Sequence, residues 1–239
     1  MGFTAGVMIC LSFLELVNEA WALKGFLTAT IGFGAGAFFM FLIDFAIPHI
    51  RFGVRENLSN ENEECDEGEI TAPQHRRRRW RANRRNAIVD PRMLQTGVLL
   101  TIGIAIHNLP EGIAVGAGYM YEPKFGFFIA LAILLHNIPE GIATALPLCK
   151  SGVCKWDSFR AALFSGLVEP VGAVLAALFL ASVESLIPFA LAFAGGVMVF
   201  ITLDELIPAA REHGHQHYTA VGIIIGSIFV FLLSGILGV

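Results

Sequence analysis

Long apolar runs are the feature that most limits what this chain can fold into. About 20 consecutive apolar residues of α-helix cross the ~30 Å hydrocarbon layer of a membrane. Backbone polar groups inside that layer must be satisfied within the protein, which favours helices. The first run is the weakest, because Glu15 and Glu19 interrupt its far end. Seven runs can be marked, at about residues 2–16, 25–47, 93–120, 125–148, 159–186, 188–210 and 220–238.

The composition agrees with a membrane protein. The 239 residues are 55% hydrophobic and 15% charged, and the mean hydropathy is +0.67. Soluble domains carry roughly 45–50% apolar and about 25% charged residues. We therefore predict an all-α integral membrane protein, a bundle of seven transmembrane helices in the plasma membrane or an organelle membrane. Two helices are expected in residues 1–50, a cytoplasmic charged flexible loop in 51–92, and five helices carrying a metal site in 93–239.

The charged residues concentrate in residues 51–92, where an acidic half (ENEECDEGE) precedes a basic half (HRRRRWRANRR). Blocks of like charge rarely pack, so a flexible loop is expected there. If this loop is cytoplasmic, alternating spans place 14 of the 16 basic residues inside and only Lys24 and Lys124 outside. That asymmetry follows the positive-inside rule. The basic half is therefore interpreted as a membrane anchor and not as a nucleic-acid site.

A polar hexapeptide occurs in two neighbouring apolar runs, as HNLPEG at residues 107–112 and HNIPEG at 136–141. The turn between the runs is short, so an antiparallel hairpin should bring both copies side by side near the bilayer midplane. Within each copy the histidine and the glutamate are four residues apart and share a helix face. Each copy also holds a proline, which removes a backbone hydrogen bond, weakens the helix and frees a carbonyl. The two copies offer His107, Asn108, Glu111, His136, Asn137 and Glu140.

The side chains of this repeat suit a divalent metal ion. Imidazole nitrogens, amide oxygens and carboxylates are its usual ligands, with zinc first among several metals. Glu169, in SGLVEP, is a third mid-span carboxylate that could complete the cluster. Helix–helix hydrogen bonding is the alternative for any single polar residue, above all for Asn108 and Asn137. Three carboxylates at one depth, with no Lys or Arg in mid-span, nevertheless require a cation, because like charges repel strongly at low dielectric.

Further candidate ligands lie toward the predicted cytoplasmic side, in LDELIPAAREHGHQH. They could receive a metal ion as it leaves the midplane and pass it on, and the alternative is an ordinary solvated helix end. They are Asp204, Glu205, His213, His215 and His217.

Five other polar or sulfur-containing residues are weaker candidates. Asp44 and His49 end a span on the predicted cytoplasmic side and could also be exit ligands. Glu15 and Glu19 lie near the predicted outer surface, where they could attract cations or simply occupy the interface. Met8 is expected to pack within the bundle.

Two further patterns concern packing and cysteine chemistry. Cys149 and Cys154 form C-x4-C without a second pair, which is weak evidence for a zinc site or a disulfide, so these two residues are predicted to be unpaired. Cys10 lies in an apolar run and Cys65 in the acidic half of the loop. Small residues spaced one turn apart allow close helix contact in lipid. This G-x-x-x-G spacing predicts tight packing at Gly2/Gly6, Gly32/Gly36, Gly112/Gly116 and Gly222/Gly226.

The tandem H-N-x-P-E-G motifs resemble those of the ZIP (Zrt-, Irt-like) metal transporters, above all the bacterial-type zinc-uptake branch. The resemblance extends over nearly the whole chain, through GFTAGVMICLSFLEL, SGLVEP and LDELIP. It implies eight spans, of which this chain would carry the second to the eighth. It also implies import of zinc, and often of Fe²⁺, Mn²⁺ or Cd²⁺, through a binuclear centre bridged by Glu111 and Glu140. The implied ligands are His107, Asn108, Glu111, His136, Asn137, Glu140 and Glu169.

Two other functions remain open. An intramembrane metallohydrolase would need a metal with an open position and an activated water, but the sequence has neither H-E-x-x-H nor G-x-S-x-G. A truncated, non-transporting membrane protein is the other alternative, because the family's first span is expected to be missing. The preferred prediction is a transporter and not an enzyme. Its expected partners are divalent metal ions and the lipid bilayer, and a homodimer is left open.

Overall fold

A computed structural model describes residues 1–46, 91–211 and 216–238, and every regular element in these ranges is helical. Two π-helical turns, Leu11–Val17 and Thr202–Leu206, follow the first and seventh helices, and a 3₁₀ turn, Glu184–Leu186, precedes the seventh. The α-helices are α1 (Gly2–Cys10), α2 (Asn18–Ala46), α3 (Pro91–Tyr121), α4 (Pro123–Lys150), α5 (Lys155–Gly166), α6 (Val168–Ser182), α7 (Ile187–Ile201), α8 (Ile207–Arg211) and α9 (Gln216–Leu237).

Several of these helical stretches have the length and apolar character needed to cross a membrane, which confirms the prediction of an all-α membrane protein. The stretch that contains α7 is the most enclosed, with 67% of its apolar window buried inside the protein. Within the described ranges the five qualifying stretches are Gly2–Phe45, Pro123–Lys150, Lys155–Ser182, Glu184–Arg211 and Gln216–Leu237. Helix α3, which carries HNLPEG, is 31 residues long.

The first of these stretches folds back on itself at Gly25. Phe13 and Phe33 would lie about 30 Å apart on a straight helix, yet their ring centroids are 5.6 Å apart. Gly25 has φ 81° and ψ 169°, a conformation that is essentially restricted to glycine. The two spans predicted in residues 2–47 are therefore separate, and the first is longer than predicted, because helix continues past Glu15 and Glu19 to the bend.

Replacing Gly25 with alanine should destabilise the protein by about 1–3 kcal/mol, because the added Cβ disfavours the observed backbone conformation. Gly34→Ala is the matched control in the same helix. Neither glycine has an atom within 4 Å of an added Cβ, but Gly34 lacks the positive φ. Thermal unfolding of the purified protein in detergent measures both effects. Equal stability of the two variants would contradict a conformational requirement at Gly25.

Two lysines lie at one end of the bundle. Lys24 Nζ donates to the Ser185 carbonyl at 2.8 Å, and Lys124 Nζ donates to the Gly238 carbonyl at 3.2 Å. Ser185 lies just before α7. The chain crosses the bundle in α7 and crosses back in α9, so Gly238, which follows α9, lies at the same end as Ser185. The two basic residues predicted to lie outside are therefore at the same end of the bundle. The side of the membrane that this end faces stays a prediction.

The G-x-x-x-G pairs lie where helices pack most closely, as predicted. Glycines of α1 and α9 face each other, those of α2 face Phe189 and Phe193 of α7, and those of α3 face Glu169 and Ala173 of α6. At each place the partner backbone occupies the space that a Cβ would need. Three closely packed helix pairs, α1–α9, α2–α7 and α3–α6, therefore build the bundle.

One helix break falls where the sequence did not predict it. Helices α3 and α4 run through Pro110 and Pro139 without interruption, because packing against neighbouring helices supports proline within membrane helices. The span expected at 159–186 instead has a one-residue interruption at Leu167, between α5 and α6, although Leu167 keeps right-handed helical backbone angles (φ −67°, ψ −14°). Pro170 has no N–H to pair with the carbonyl of Gly166, which favours a break there.

Residues 47–90 and 212–215 lie outside the described residues. The loop expected in 51–92 therefore stays a prediction, as do the roles considered for His49, Cys65, His213 and His215.

Candidate metal centre

The hairpin of α3 and α4 brings the two hexapeptides together. One ligand atom from each of His107, Glu111 and Glu140 lies within 4.8 Å of the others, and all three side chains are buried. Neither helix contains a Lys or Arg between residues 93 and 123 or between 125 and 149. The two carboxylates thus face each other within stretches of α3 and α4 whose sequence contains no Lys or Arg.

The distances within this cluster suit shared metal coordination. His107 Nε2 lies 3.4 Å from Glu111 Oε1 and 3.6 Å from Glu140 Oε1. His136 Nε2 lies 3.1 Å from the same Glu111 oxygen. Two atoms that bind one tetrahedral zinc ion at about 2.0–2.1 Å are themselves about 3.4 Å apart. Glu111 is thus placed to contact ions held by either histidine.

Many polar atoms of the repeat are buried without a hydrogen-bond partner. Leaving such an atom unsatisfied costs about 1–3 kcal/mol, and more when it is charged. A concentration of them at one place is therefore unfavourable unless a ligand binds. Seven such atoms belong to the repeat: His107 Nε2, Asn108 Oδ1, Glu111 Oε2, His136 Nδ1, Asn137 Oδ1, and both Glu140 carboxylate oxygens.

Both asparagines use their amide nitrogens for contacts outside the repeat. Asn108 Nδ2 donates to the backbone carbonyl of Ser165 at 3.0 Å. Asn137 Nδ2 donates to Oε2 of Glu169. Glu169 is half-buried in the first turn of α6 and lies outside the three-residue cluster that includes Glu140. It therefore meets the repeat through Asn137.

The candidates in LDELIPAAREHGHQH do not all lie beside the cluster. Glu205, in the π-helical turn after α7, places Oε2 4.0 Å from His107 Nδ1. Asp204 is exposed, and His217 is exposed in the first turn of α9. Asp44 is half-buried near the end of α2. Glu205 therefore lies next to a hexapeptide residue.

The remaining candidates have other surroundings. Met8 is fully buried, and its Sδ accepts from Thr202 Oγ1 at 3.6 Å, in agreement with the predicted packing role. Glu15 hydrogen-bonds with Ser234, and Glu19 hydrogen-bonds with Tyr121. Among the described cysteines, Cys149 and Cys154 are free, as predicted, and Cys10 is also free.

Three features of the site were not predicted from the sequence. Ser165 was not a candidate, because its contact uses the backbone carbonyl, which no side-chain pattern reports. The Gly166 and Pro170 pair could have indicated the nearby break, since glycine and proline both weaken helices. The π-helical turn that carries Glu205 had no sequence signal.

Comparison with known proteins agrees with this geometry. The sequence matches the family described as ZIP Zinc transporter over residues 1–234. It is 34% identical to zinc transporter ZupT of Chlorobium chlorochromatii over 238 residues, which cover 95% of this chain and 81% of that protein. It is 36% identical to zinc transporter ZTP29 of Arabidopsis thaliana over 228 residues, which cover 94% and 78%. ZupT of Oceanobacillus iheyensis is 36% identical over 236 residues, with 95% and 81% covered.

Three findings agree. The family match covers nearly all of the sequence, the relatives are more than 30% identical, and the helical bundle contains a buried His/Glu cluster. The chain belongs to the ZIP zinc transporter family, as a multi-pass membrane protein that transports divalent metal ions.

Proposed function

We propose that this chain carries zinc across the membrane through the cluster formed by the two hexapeptides. The observation that carries the proposal is the set of buried, unpartnered ligand atoms on α3 and α4. Carboxylates buried in this way gain most from a dication, which supplies the missing positive charge. Several relatives are named zinc transporters, which supports zinc as the ion. Fe²⁺, Mn²⁺ and Cd²⁺ are proposed as alternative cargo, because the same nitrogen and oxygen ligands accept them.

We propose further that the centre holds two ions bridged by Glu111 and Glu140. Support comes from Glu111 Oε1, which is 3.4 Å from one histidine and 3.1 Å from the other. The unpartnered amide oxygens add further ligand atoms. The proposed ligand set is His107, Asn108, Glu111, His136, Asn137, Glu140 and Glu169.

Movement toward the cytoplasm is the proposed direction, with Glu205 as the first residue on the exit side. Its carboxylate is 26% exposed while it lies 4.0 Å from His107, so it faces both the cluster and a more open region. Asp204, His213, His215 and His217 are proposed to receive the ion beyond it. The surrounding partner is the lipid bilayer, and no chemical reaction is proposed for the chain, because its relatives are transporters.

Zinc accumulation in cells that express the full chain tests this function. Cells should take up radioactive zinc faster than cells with an empty vector, and unlabelled zinc should compete more effectively than Fe²⁺, Mn²⁺ or Cd²⁺. Purified chain in liposomes that enclose a fluorescent zinc indicator should give the same ranking. Uptake equal to that of empty liposomes would argue against transport, and a fall in cellular zinc would argue against the inward direction.

A further inference from the structure

A short stretch of the third helical span contacts both asparagines of the repeat. This stretch, residues 165–170 (SGLVEP), includes the break between α5 and α6. Its Ser165 carbonyl accepts from Asn108, and its Glu169 carboxylate accepts from Asn137. The two acceptors are four residues apart, so one element reaches corresponding positions in both hexapeptides.

The chemistry of the acceptors fixes the orientation of both amides. A carbonyl or a carboxylate oxygen only accepts hydrogen bonds, so each asparagine must turn its NH₂ group toward residues 165–170. The oxygen of each amide then points the other way. Both oxygens, Asn108 Oδ1 and Asn137 Oδ1, are buried without a partner. An amide oxygen that is buried, oriented and unpartnered is ready to bind a cation.

Ser165 lies beside the interruption between the two helices. Helix α5 ends at Gly166 and α6 begins at Val168. Pro170 lacks the N–H that would continue the helical hydrogen-bond ladder. Ser165 is itself buried, and its carbonyl directly precedes that of Gly166, which Pro170 leaves without its helical N–H partner.

We infer that residues 165–170 orient the two asparagines and thereby preset their oxygens for the metal ion. Ser165 and Pro170 are positioning residues, since they act through Asn108 and not on the ion. Glu169 positions Asn137 with Oε2, which leaves Oε1 for the ligand role proposed above. This inference rests on the proposed function, because it requires a metal ion at the repeat. It predicts that zinc affinity depends on Pro170, which contributes no ligand atom of its own.

Asn108→Asp is the first test, because aspartate keeps the ligand oxygen and adds charge but loses the N–H donor. A freely oriented carboxylate would bind zinc at least as well as the amide. If Ser165 orients residue 108, the aspartate instead faces the carbonyl oxygen and is repelled. We expect zinc affinity of the purified full chain, measured by titration calorimetry, to fall about 10- to 100-fold, the range for loss of a partner that orients a metal ligand.

Pro170→Ala is the second test, because it changes no proposed ligand. The restored N–H can bond the Gly166 carbonyl, and the proline ring no longer crowds that carbonyl. The backbone next to Ser165 should therefore shift and move the Ser165 carbonyl away from Asn108. We expect weaker zinc binding and an altered visible absorption spectrum of bound Co²⁺, which reports ligand geometry and not fold stability. Asn18→Asp, at an exposed asparagine at the start of α2, controls for the added charge and should bind zinc like the parent chain.

The outcomes separate the two proposals. If the parent chain does not bind zinc, the proposed function fails. If the parent chain binds zinc while Asn108→Asp binds as tightly and Pro170→Ala leaves the Co²⁺ spectrum unchanged, the orienting role of residues 165–170 is wrong and the proposed function stands. Gel filtration and thermal unfolding of each variant identify any loss of folded protein.

Discussion

Glu111→Gln is expected to reduce zinc uptake to the level of cells that lack the chain. Glu111 is the carboxylate whose Oε1 lies near both histidines, 3.1 Å from His136 and 3.4 Å from His107. Glutamine keeps the shape but removes the charge, so both proposed ions lose an anionic ligand at once. Loss of one contact to a charged group costs about 1.5–3 kcal/mol, or roughly a tenfold to hundredfold loss of affinity. Radioactive uptake and zinc titration of the purified chain measure the two effects.

Two comparisons give this prediction its specificity. Glu140→Gln should also impair uptake, because Glu140 Oε1 lies 3.6 Å from His107 and both of its oxygens lack hydrogen-bond partners. Glu184→Gln removes the same charge from an exposed position in the 3₁₀ turn and should leave uptake unchanged. Normal uptake by both Glu111→Gln and Glu140→Gln would falsify the assignment of the transport site to the repeat.

Gly112→Ala is expected to have the second large effect, on both stability and transport. A Cβ at Gly112 would collide with the backbone carbonyl of Glu169, where α3 and α6 are in contact. Relief requires the two helices to separate, which also moves Glu169 away from the repeat. Overpacking of a close contact costs about 1–3 kcal/mol, and backbone atoms cannot move aside as a flexible side chain would. Thermal unfolding and zinc uptake should both decline.

The repeat supplies the control for this substitution. Gly141 is the last residue of the second hexapeptide, as Gly112 is of the first, but a Cβ at Gly141 would meet no atom within 4 Å. Gly141→Ala should therefore be neutral or stabilise helix α4 by up to about 1 kcal/mol. Similar loss of stability in both variants would show that the α3–α6 contact does not explain the effect.

The local sequence was sufficient to predict the membrane helices and the clustering of hexapeptide side chains from α3 and α4. Apolar runs of membrane length dictate helices, because a backbone in hydrocarbon has few ways to satisfy its polar groups. The spacing of His107 and Glu111, and of His136 and Glu140, puts each pair on one helix face whatever the surroundings. The short connection between α3 and α4, where only Glu122 separates the helices, then forces the two copies together.

Contacts between distant parts of the chain were decided only by the tertiary structure. Ser165 meets Asn108 through a backbone carbonyl, and any residue type has a carbonyl, so the sequence holds no signal for this contact. Glu205 approaches His107 because a π-helical turn of α7 directs it inward. The continuity of α3 and α4 through their prolines depends on neighbouring helices. The sequence thus determined the helices and the spacing of side chains along each helix. Helix packing determined which side chains and carbonyls of remote segments come into contact, because it depends on the sum of many weak contacts.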